Sequence, residues 1–266
     1  MVKPSITTMK GAFDLTGKNA IITGGNGGIG LGIAKAFAEC GANIAIFCRN
    51  MTKADKAIKE LNDIGGRHEV FTCDVADIAS TRTAVAEAYK SYGDFDVLVN
   101  NAGVTNNIKL FDMDDELSEF YYVQNIDLNG IIHCTYEVAK RMRDSGKGGS
   151  IINITSNAGL MVNKGMDISQ YASSKAAANA FTKYMGYELA EHDIRVNAIA
   201  PGFIGSGFGD KPRNPEREAW IGSRQPIHRI GECIEIGAMS VYLASDASTY
   251  TTGAIFVVDG GYSLSC

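Results

Sequence analysis

Asn19-Ala20-Ile21-Ile22-Thr23-Gly24-Gly25-Asn26-Gly27-Gly28-Ile29-Gly30 joins a short apolar run to a glycine-rich loop, and Leu31 to Cys40 then carry helical periodicity. The order is strand, glycine loop, helix. Gly25-x-Gly27-x-x-Gly30 has the spacing of a dinucleotide-binding loop, and the same glycines also read as Gly24-x-x-x-Gly28-x-Gly30. Without side chains such a loop lets the backbone approach a pyrophosphate at the positive end of the next helix. Glycine-rich turns also serve tight strand-to-helix packing. The place of this one, directly after the first strand, favours the ligand-binding reading.

Downstream the pattern repeats. Asn43 to Phe47 is an apolar run suited to a buried parallel strand, followed by a helix from about Thr52 to Ile64 that stops at Gly65-Gly66. Glu69 to Cys73, Val97 to Val99, Ser150 to Ile154, Arg195 to Ala200 and Ala254 to Val258 read as further strands. Between them, helices are expected over Ile78 to Tyr92, Asp114 to Asp144 (unbroken), Ala172 to Glu191 and Ile234 to Leu243. Strands alternating with helices of this length imply right-handed crossovers, so the expected fold is α/β: a single doubly wound Rossmann-type domain with a seven-stranded parallel sheet. Residues 1–16 read as an N-terminal extension and 17–266 as the dinucleotide-binding and catalytic domain. The segment 203–231 holds three of the chain's 5 prolines and its 1 tryptophan, Trp220. An irregular excursion of that length is expected to be a substrate lid.

Bulk composition sets outer limits. The chain has 266 residues, 45% hydrophobic and 21% charged, which suits one large core. A net charge of -5 argues against a nucleic-acid surface, since phosphate backbones are met by basic faces. The 6 cysteines form no Cys-x-x-Cys pair and the 4 histidines have no ligand spacing, so reduced buried thiols and no metal site are expected. No apolar run approaches the ~18 residues of a membrane span. The expected compartment is the cytoplasm and the expected partner a small molecule.

Two features carry chemistry. The second strand ends Phe47-Cys48-Arg49-Asn50, where an acid would bond the 2'-hydroxyl of NAD. Arg49 instead offers a forked cation to a 2'-phosphate, favouring NADP(H) over NAD; the alternative is a solvated surface arginine. Tyr171-x-x-x-Lys175, if helical, sets a phenol and an ammonium one turn apart, where the cation favours the phenolate. Tyr136 and Lys140 share that spacing and read as one face of an ordinary helix.

Thr23-Gly24-x-x-x-Gly28-x-Gly30, Asp74, Asn100-Asn101-Ala102-Gly103, Ser156, Tyr171-x-x-x-Lys175 and Pro201-Gly202, in that order, resemble the short-chain dehydrogenase/reductase family over about residues 15–263. The resemblance implies hydride transfer between a nicotinamide cofactor and a secondary alcohol or ketone, usually in a homo-oligomer, dimer or tetramer. By it Asp74 bonds the adenine amino group, Thr23 braces the glycine loop, Asn101 with Ala102 and Gly103 backs the cofactor, and the main chain of Ile204 holds the carboxamide. Asn26, Ile29, Asn50, Val75, Pro201, Gly202 and Ser206 complete the expected cofactor set. Tyr171 becomes the general acid or base, Ser156 the partner of the substrate oxygen, and Lys175 both a ribose ligand and the group that lowers the tyrosine's pKa.

One position departs from the family. Where relatives carry Asn-Leu-x-Gly, this chain has Asp127-Leu128-Asn129-Gly130. The family asparagine works largely through its main-chain carbonyl, which Asp127 would keep, while an ionised carboxylate would raise the lysine's pKa and offset its pull on Tyr171. Asn125 would face another way on a helix. In the lid, Trp220, Phe203, Phe208 and Ile221 are expected as apolar walls and Arg213, Arg217, Arg224 and Arg229 as steering cations, or else as packing and a solvated face. Met161 and Met166 read as adaptable pocket fillers or core. The span from Ser156 to Tyr171 resembles that of sugar-alcohol dehydrogenases. Polyols are therefore the leading substrate class, hydroxysteroids and 3-oxoacyl thioesters the alternatives, and a dinucleotide-sensing regulator the non-enzymatic one.

Overall fold

The structure, a computed structural model, describes residues 8–206 and 214–264. A short helix α1 (Met9–Ala12) precedes the first βα unit: strand β1 (Asn19–Thr23) and helix α2 (Gly28–Glu39). Then follow β2 (Asn43–Cys48), α3 (Met51–Asn62), β3 (His68–Thr72), α4 (Ile78–Tyr92) and β4 (Val97–Asn100). The second half runs α5 (Ser118–Gln124), α6 (Gly130–Ser145), β5 (Gly149–Ile154), α7 (Ser169–Glu188), β6 (Ile194–Pro201), α8 (Pro215–Gly222), α9 (Cys233–Ala244) and β7 (Ile255–Val258).

The strands form one 7-stranded sheet in the order β3-β2-β1-β4-β5-β6-β7, with every pairing parallel. This is the doubly wound sheet expected from the sequence. Its order reverses between β1 and β4, which opens a crevice at the carboxyl ends of those strands.

Alternate strand residues feed opposite faces, as a period of two requires. Ile22, Ile46 and Ile199 meet Phe37 of α2 and Ile236 and Leu243 of α9 on one side. Ile21, Phe47, Leu98 and Ile151 meet Val138 and Met142 of α6 on the other. Each fully buried side chain of this kind contributes roughly 1.5–3 kcal/mol. One chain of polar side chains crosses this core: Asn100 donates to Asn153 at 2.8 Å and to Thr135 at 3.1 Å, and Asn153 donates to Thr182 at 2.9 Å. That chain of amides and hydroxyls ties β4 and β5 to α6 and α7, the elements that hold the site. Ahead of β1, Ala12 and Leu15 are buried and the Leu15 N–H donates to the Cys40 carbonyl at 2.9 Å, so residues 12–15 dock against the domain.

Two helices differ from the sequence expectation. The long helix over 114–144 is two helices joined by a π-helical turn, Asn125–Asn129, which inserts an extra residue and carries Asp127 inward. The next helix begins at Ser169, not Ala172, so that Tyr171 lies inside its first turn. Among the described residues, no helix is long and apolar enough to cross a membrane.

Candidate active site

The glycine loop leaves β1 and enters α2 at Gly28, whose φ of +52° is a conformation side chains rarely adopt. Gly30 is required by space: a Cβ there would collide with the Asn101 side chain and the Gly24 carbonyl. The Gly27 N-cap makes no side-chain cap hydrogen bond, which leaves the helix start to an outside acceptor. Asn101 fastens the loop, its Nδ2 donating to the Thr23 carbonyl at 2.9 Å and the Gly24 carbonyl at 3.3 Å. Thr23 acts on the other turn instead of its own loop, its Oγ1 accepting the N–H groups of Asn101 and Ala102, each at 2.9 Å.

A cavity of ≈ 1420 Å³ runs along these strand ends. At one end it is lined by Arg49, Asn50, Lys53, Asp74 and Val75, in the middle by Gly24, Asn26, Gly28 and Ile29, and opposite them by Asn101, Ala102 and Gly103. The far end is lined by Ser156, Tyr171 and Lys175, with Pro201, Gly202, Ile204 and Ser206 beside them. Gly30 sits beneath the loop, and Asp127 sits behind the lining wall. The length and lining of this space, the bare helix start and the glycine cradle fit a dinucleotide.

Arg49 is half exposed, its Nη1 3.6 Å from Asp74 Oδ2, and its guanidinium is held further by the Tyr122 hydroxyl. That hydrogen bond pushes its pKa up against the cost of burial, so it is always a cation. Asn50 caps α3, accepting the Lys53 N–H at 3.0 Å, and its carbonyl takes the Asn26 amide at 3.2 Å. Lys53 is a second cation at this end that sequence reasoning missed, although the Asn50 cap was its signal: the third residue of a capped helix lies in the first turn, beside the cap. Tyr122 had no such signal, since it comes from α5, remote in sequence.

At the other end Lys175 and Tyr171 are one turn apart on α7, with Nζ 5.5 Å from the centre of the phenol ring. The Ser156 side chain hydrogen-bonds the phenol. Its Oγ also accepts the Ala158 N–H at 3.1 Å, which fixes the serine at the end of β5. Asp127 Oδ2 lies 3.0 Å from Lys175 Nζ, with both side chains buried, and Oδ1 accepts the Val104 N–H at 2.7 Å. Lys175 Nζ donates to the Ile154 carbonyl at 3.2 Å. Asn125, by contrast, faces solvent and accepts from Asn129 at 2.9 Å. Tyr136, the other tyrosine with a lysine four residues on, is 60% exposed on α6 and far from this chemistry.

The electrostatics differ from the simple tyrosine and lysine pair. Burial pushes the Tyr171 phenol above its ordinary value; Lys175 pulls it down, Asp127 pushes it up, and the Ser156 hydrogen bond pulls it down, with a net upward result. The expected lowering by Lys175 is thus present but outweighed. Lys175 stays cationic: burial pulls its pKa down, yet the adjoining Asp127 carboxylate holds it above the usual lysine range.

The lid also departs from expectation in part. Phe203, Ile221 and Met166 line the cavity, whereas Trp220 is half exposed and stacks under Arg224, whose guanidinium carbon is 3.6 Å from the ring centre. Arg229 forms a two-pronged ion pair with Glu235 of α9 at 2.7 and 2.8 Å. Neither arginine lines the cavity, so neither steers a ligand within it. Phe208 and Arg213 lie outside the described residues, as does the side chain of Arg217. The lid's root is pinned where Ile204 and Gly231 bridge in parallel, the Gly205 N–H reaching the Gly231 carbonyl at 2.8 Å. Asn157 and Asn163 also line the substrate end, and the buried Oδ1 of Asn163 has no protein partner.

Comparison with known proteins agrees with this geometry. A family model described as enoyl-(acyl carrier protein) reductase matches residues 24–263. The chain is 36% identical to 3-oxoacyl-(acyl-carrier-protein) reductase FabG of Thermotoga maritima, over 93% of this chain and 98% of that protein. It is 38% identical to oxidoreductase UcpA of Salmonella typhimurium, over 94% and 96%. Among solved structures, a gluconate 5-dehydrogenase from Burkholderia cenocepacia in complex with NADP and tartrate superposes with a TM-score of 0.89 at 32% identity, covering 97% of this chain and 100% of that one. A 7α-hydroxysteroid dehydrogenase complexed with NADH and 7-oxo glycochenodeoxycholic acid superposes with a TM-score of 0.88 at 34% identity, covering 96% and 98%. The glycine loop, the serine, tyrosine and lysine at one end of a dinucleotide-sized crevice, and these relatives together establish that the chain belongs to the short-chain dehydrogenase/reductase family of oxidoreductases.

Proposed function

We propose that the protein interconverts a secondary alcohol and a ketone with NADP(H), acting on a small hydroxylated substrate of the sugar, sugar-acid or polyol kind. The observation that carries this reading is the Ser156 and Tyr171 hydroxyl pair at one end of a cavity whose other end holds Arg49 and Lys53. When bound, the nicotinamide supplies or accepts the hydride. Glycine-loop N–H groups and the start of α2 would hold the pyrophosphate, and Arg49 and Lys53 would hold a 2'-phosphate. In the reductive direction Ser156 donates a hydrogen bond to the carbonyl oxygen and Tyr171 Oη gives that oxygen its proton. Oxidation runs the same proton path backwards. Lys175 orients the ribose and stabilises negative charge on Tyr171.

The polyol class is supported by the likeness to a gluconate 5-dehydrogenase solved with NADP and tartrate. We also read the chain as a cytoplasmic homo-oligomer with residues 1–16 as an N-terminal extension; exposed Tyr184 and Tyr187 on α7 support an assembly face. The test is NADPH or NADH oxidation with 5-ketogluconate, a 7-oxo bile acid and an acetoacetyl thioester. Turnover of the keto acid sugar with NADPH, at least about tenfold above the others, is expected. Preference for NADH would overturn the role of Arg49, and no turnover with any ketone would favour a dinucleotide-sensing protein.

A further inference from the structure

We propose that Asp127 is a positioning residue that holds the Lys175 ammonium on its own carboxylate and so keeps Tyr171 a neutral phenol, set to give a proton to a carbonyl oxygen more readily than to take one from an alcohol. This rests on the reading of Tyr171 as the proton carrier. The π-helical turn Asn125–Asn129 carries Asp127 into the protein, where its side chain is 0% exposed. The Val104 N–H locks one carboxylate oxygen at 2.7 Å, and the other faces Lys175 at 3.0 Å. Gly103 makes room for this contact, since a Cβ there would stand 3.0 Å from that oxygen and 3.4 Å from Nζ.

Two opposite charges act on the phenol, and their fields add. The ammonium favours the phenolate, while the carboxylate oxygen 3.0 Å from Nζ disfavours it. The buried pair therefore acts on Tyr171 as a compact dipole, whose pull is weaker than that of a lone ammonium. A neutral amide at position 127 would keep the Val104 contact and leave that charge to the tyrosine. The other groups around Tyr171 do not replace it. Ser156, from the end of β5, hydrogen-bonds the phenol and favours the phenolate, so it opposes Asp127. Glu216 and Glu218 line the cavity from the lid, and Arg49, Lys53 and Asp74 line its opposite end. The causes that act on Tyr171 besides burial are Lys175, Asp127 and Ser156, and these cavity groups are not among them.

The test is the ultraviolet titration of tyrosinate, read as the difference between wild type and Tyr171→Phe, and again between Asp127→Asn and the double variant Asp127→Asn with Tyr171→Phe. Tyr171 is expected to titrate no lower than an ordinary tyrosine in the wild type, and at least about one pH unit lower in the Asp127→Asn background. Equal midpoints in the two backgrounds, or a midpoint near neutrality in the wild type, would overturn the proposal. If Asp127→Asn does not fold, the same pair of titrations is made with Asp127→Ser, which removes the same charge. Turnover of the ketone panel by folded Tyr171→Phe separates the two levels: an active variant sinks the proton-carrier reading itself. An inactive one with equal midpoints sinks only the role of Asp127.

Discussion

Asp127 Oδ2 and Lys175 Nζ stand 3.0 Å apart with neither side chain open to solvent, so the carboxylate and the ammonium are each other's principal counter-charge. Removing one partner of such a pair leaves an uncompensated buried charge and costs about 3–5 kcal/mol. Lys175→Met should lose that much in denaturant unfolding, and adding Asp127→Leu should restore most of it. Burial holds the Asp127 carboxyl above its ordinary value. A folded-state pKa that is raised gives stability below the unfolded pKa that is lost as pH rises. The penalty in Lys175→Met should therefore grow as pH climbs through and beyond the carboxylate range.

In the proposed function Arg49 and Lys53 would set the cofactor preference. A hydrogen bond to a charged group is worth roughly 1.5–3 kcal/mol, or about ten- to a hundredfold in affinity. Arg49→Gln should weaken NADPH binding by that factor and leave NADH binding within a few-fold, measured by calorimetry. Lys53→Gln should act in the same direction to a smaller degree.

Gly30→Ala tests the cradle. Its new methyl would meet the Gly24 carbonyl and the Asn101 side chain, both of which shape the pyrophosphate loop. Overpacking of this kind costs typically about 1–3 kcal/mol. Lower thermal stability and a loss of dinucleotide binding are expected together, and a variant that binds NADPH normally would show that the loop has slack.

The chain after residues 203–231 is anchored by Glu235, which accepts the Glu232 N–H at 2.8 Å and both prongs of Arg229. The Arg229 guanidinium, with that N–H, depresses the carboxyl from 4.5 to about 2. A depressed carboxyl contributes stability that is full above its unfolded pKa and is lost as pH falls through the folded one. Glu235→Gln should lower the melting temperature slightly at neutral pH, because an exposed pair is worth at most about 1 kcal/mol. The melting curves of variant and wild type should converge as pH falls from 4.5 toward 2.

Much of this was legible in the chain because parallel strands buried on both faces read as short apolar runs, and because the glycine loop, Asn100-Asn101-Ala102-Gly103 and Pro201-Gly202 each mark a strand's carboxyl end. The π-helical turn was not legible. One extra residue between Gln124 and Gly130 leaves the apolar spacing of both flanking helices intact, so the helix looked continuous. Ser156, Tyr171 and Lys175 could be picked out from their order. The charge of Asp127 near the lysine was legible from its place in the family pattern, but the direct ion pair was not, since it joins elements far apart in sequence and depends on which way the turn rotates the side chain. The arginines of 203–231 stayed between two readings for a related reason: a run of cations says nothing of partners, and Arg224 found Trp220 while Arg229 found Glu235.

Proton delivery by Tyr171 is the central claim, and Tyr171→Phe tests it most directly because the change removes one oxygen and keeps the ring beside Lys175. General acid catalysis contributes typically about 10²–10⁴-fold. A folded Tyr171→Phe protein that binds NADPH as the wild type does should therefore lose at least about a hundredfold in ketone-dependent NADPH oxidation. Undiminished turnover in that variant would contradict the account.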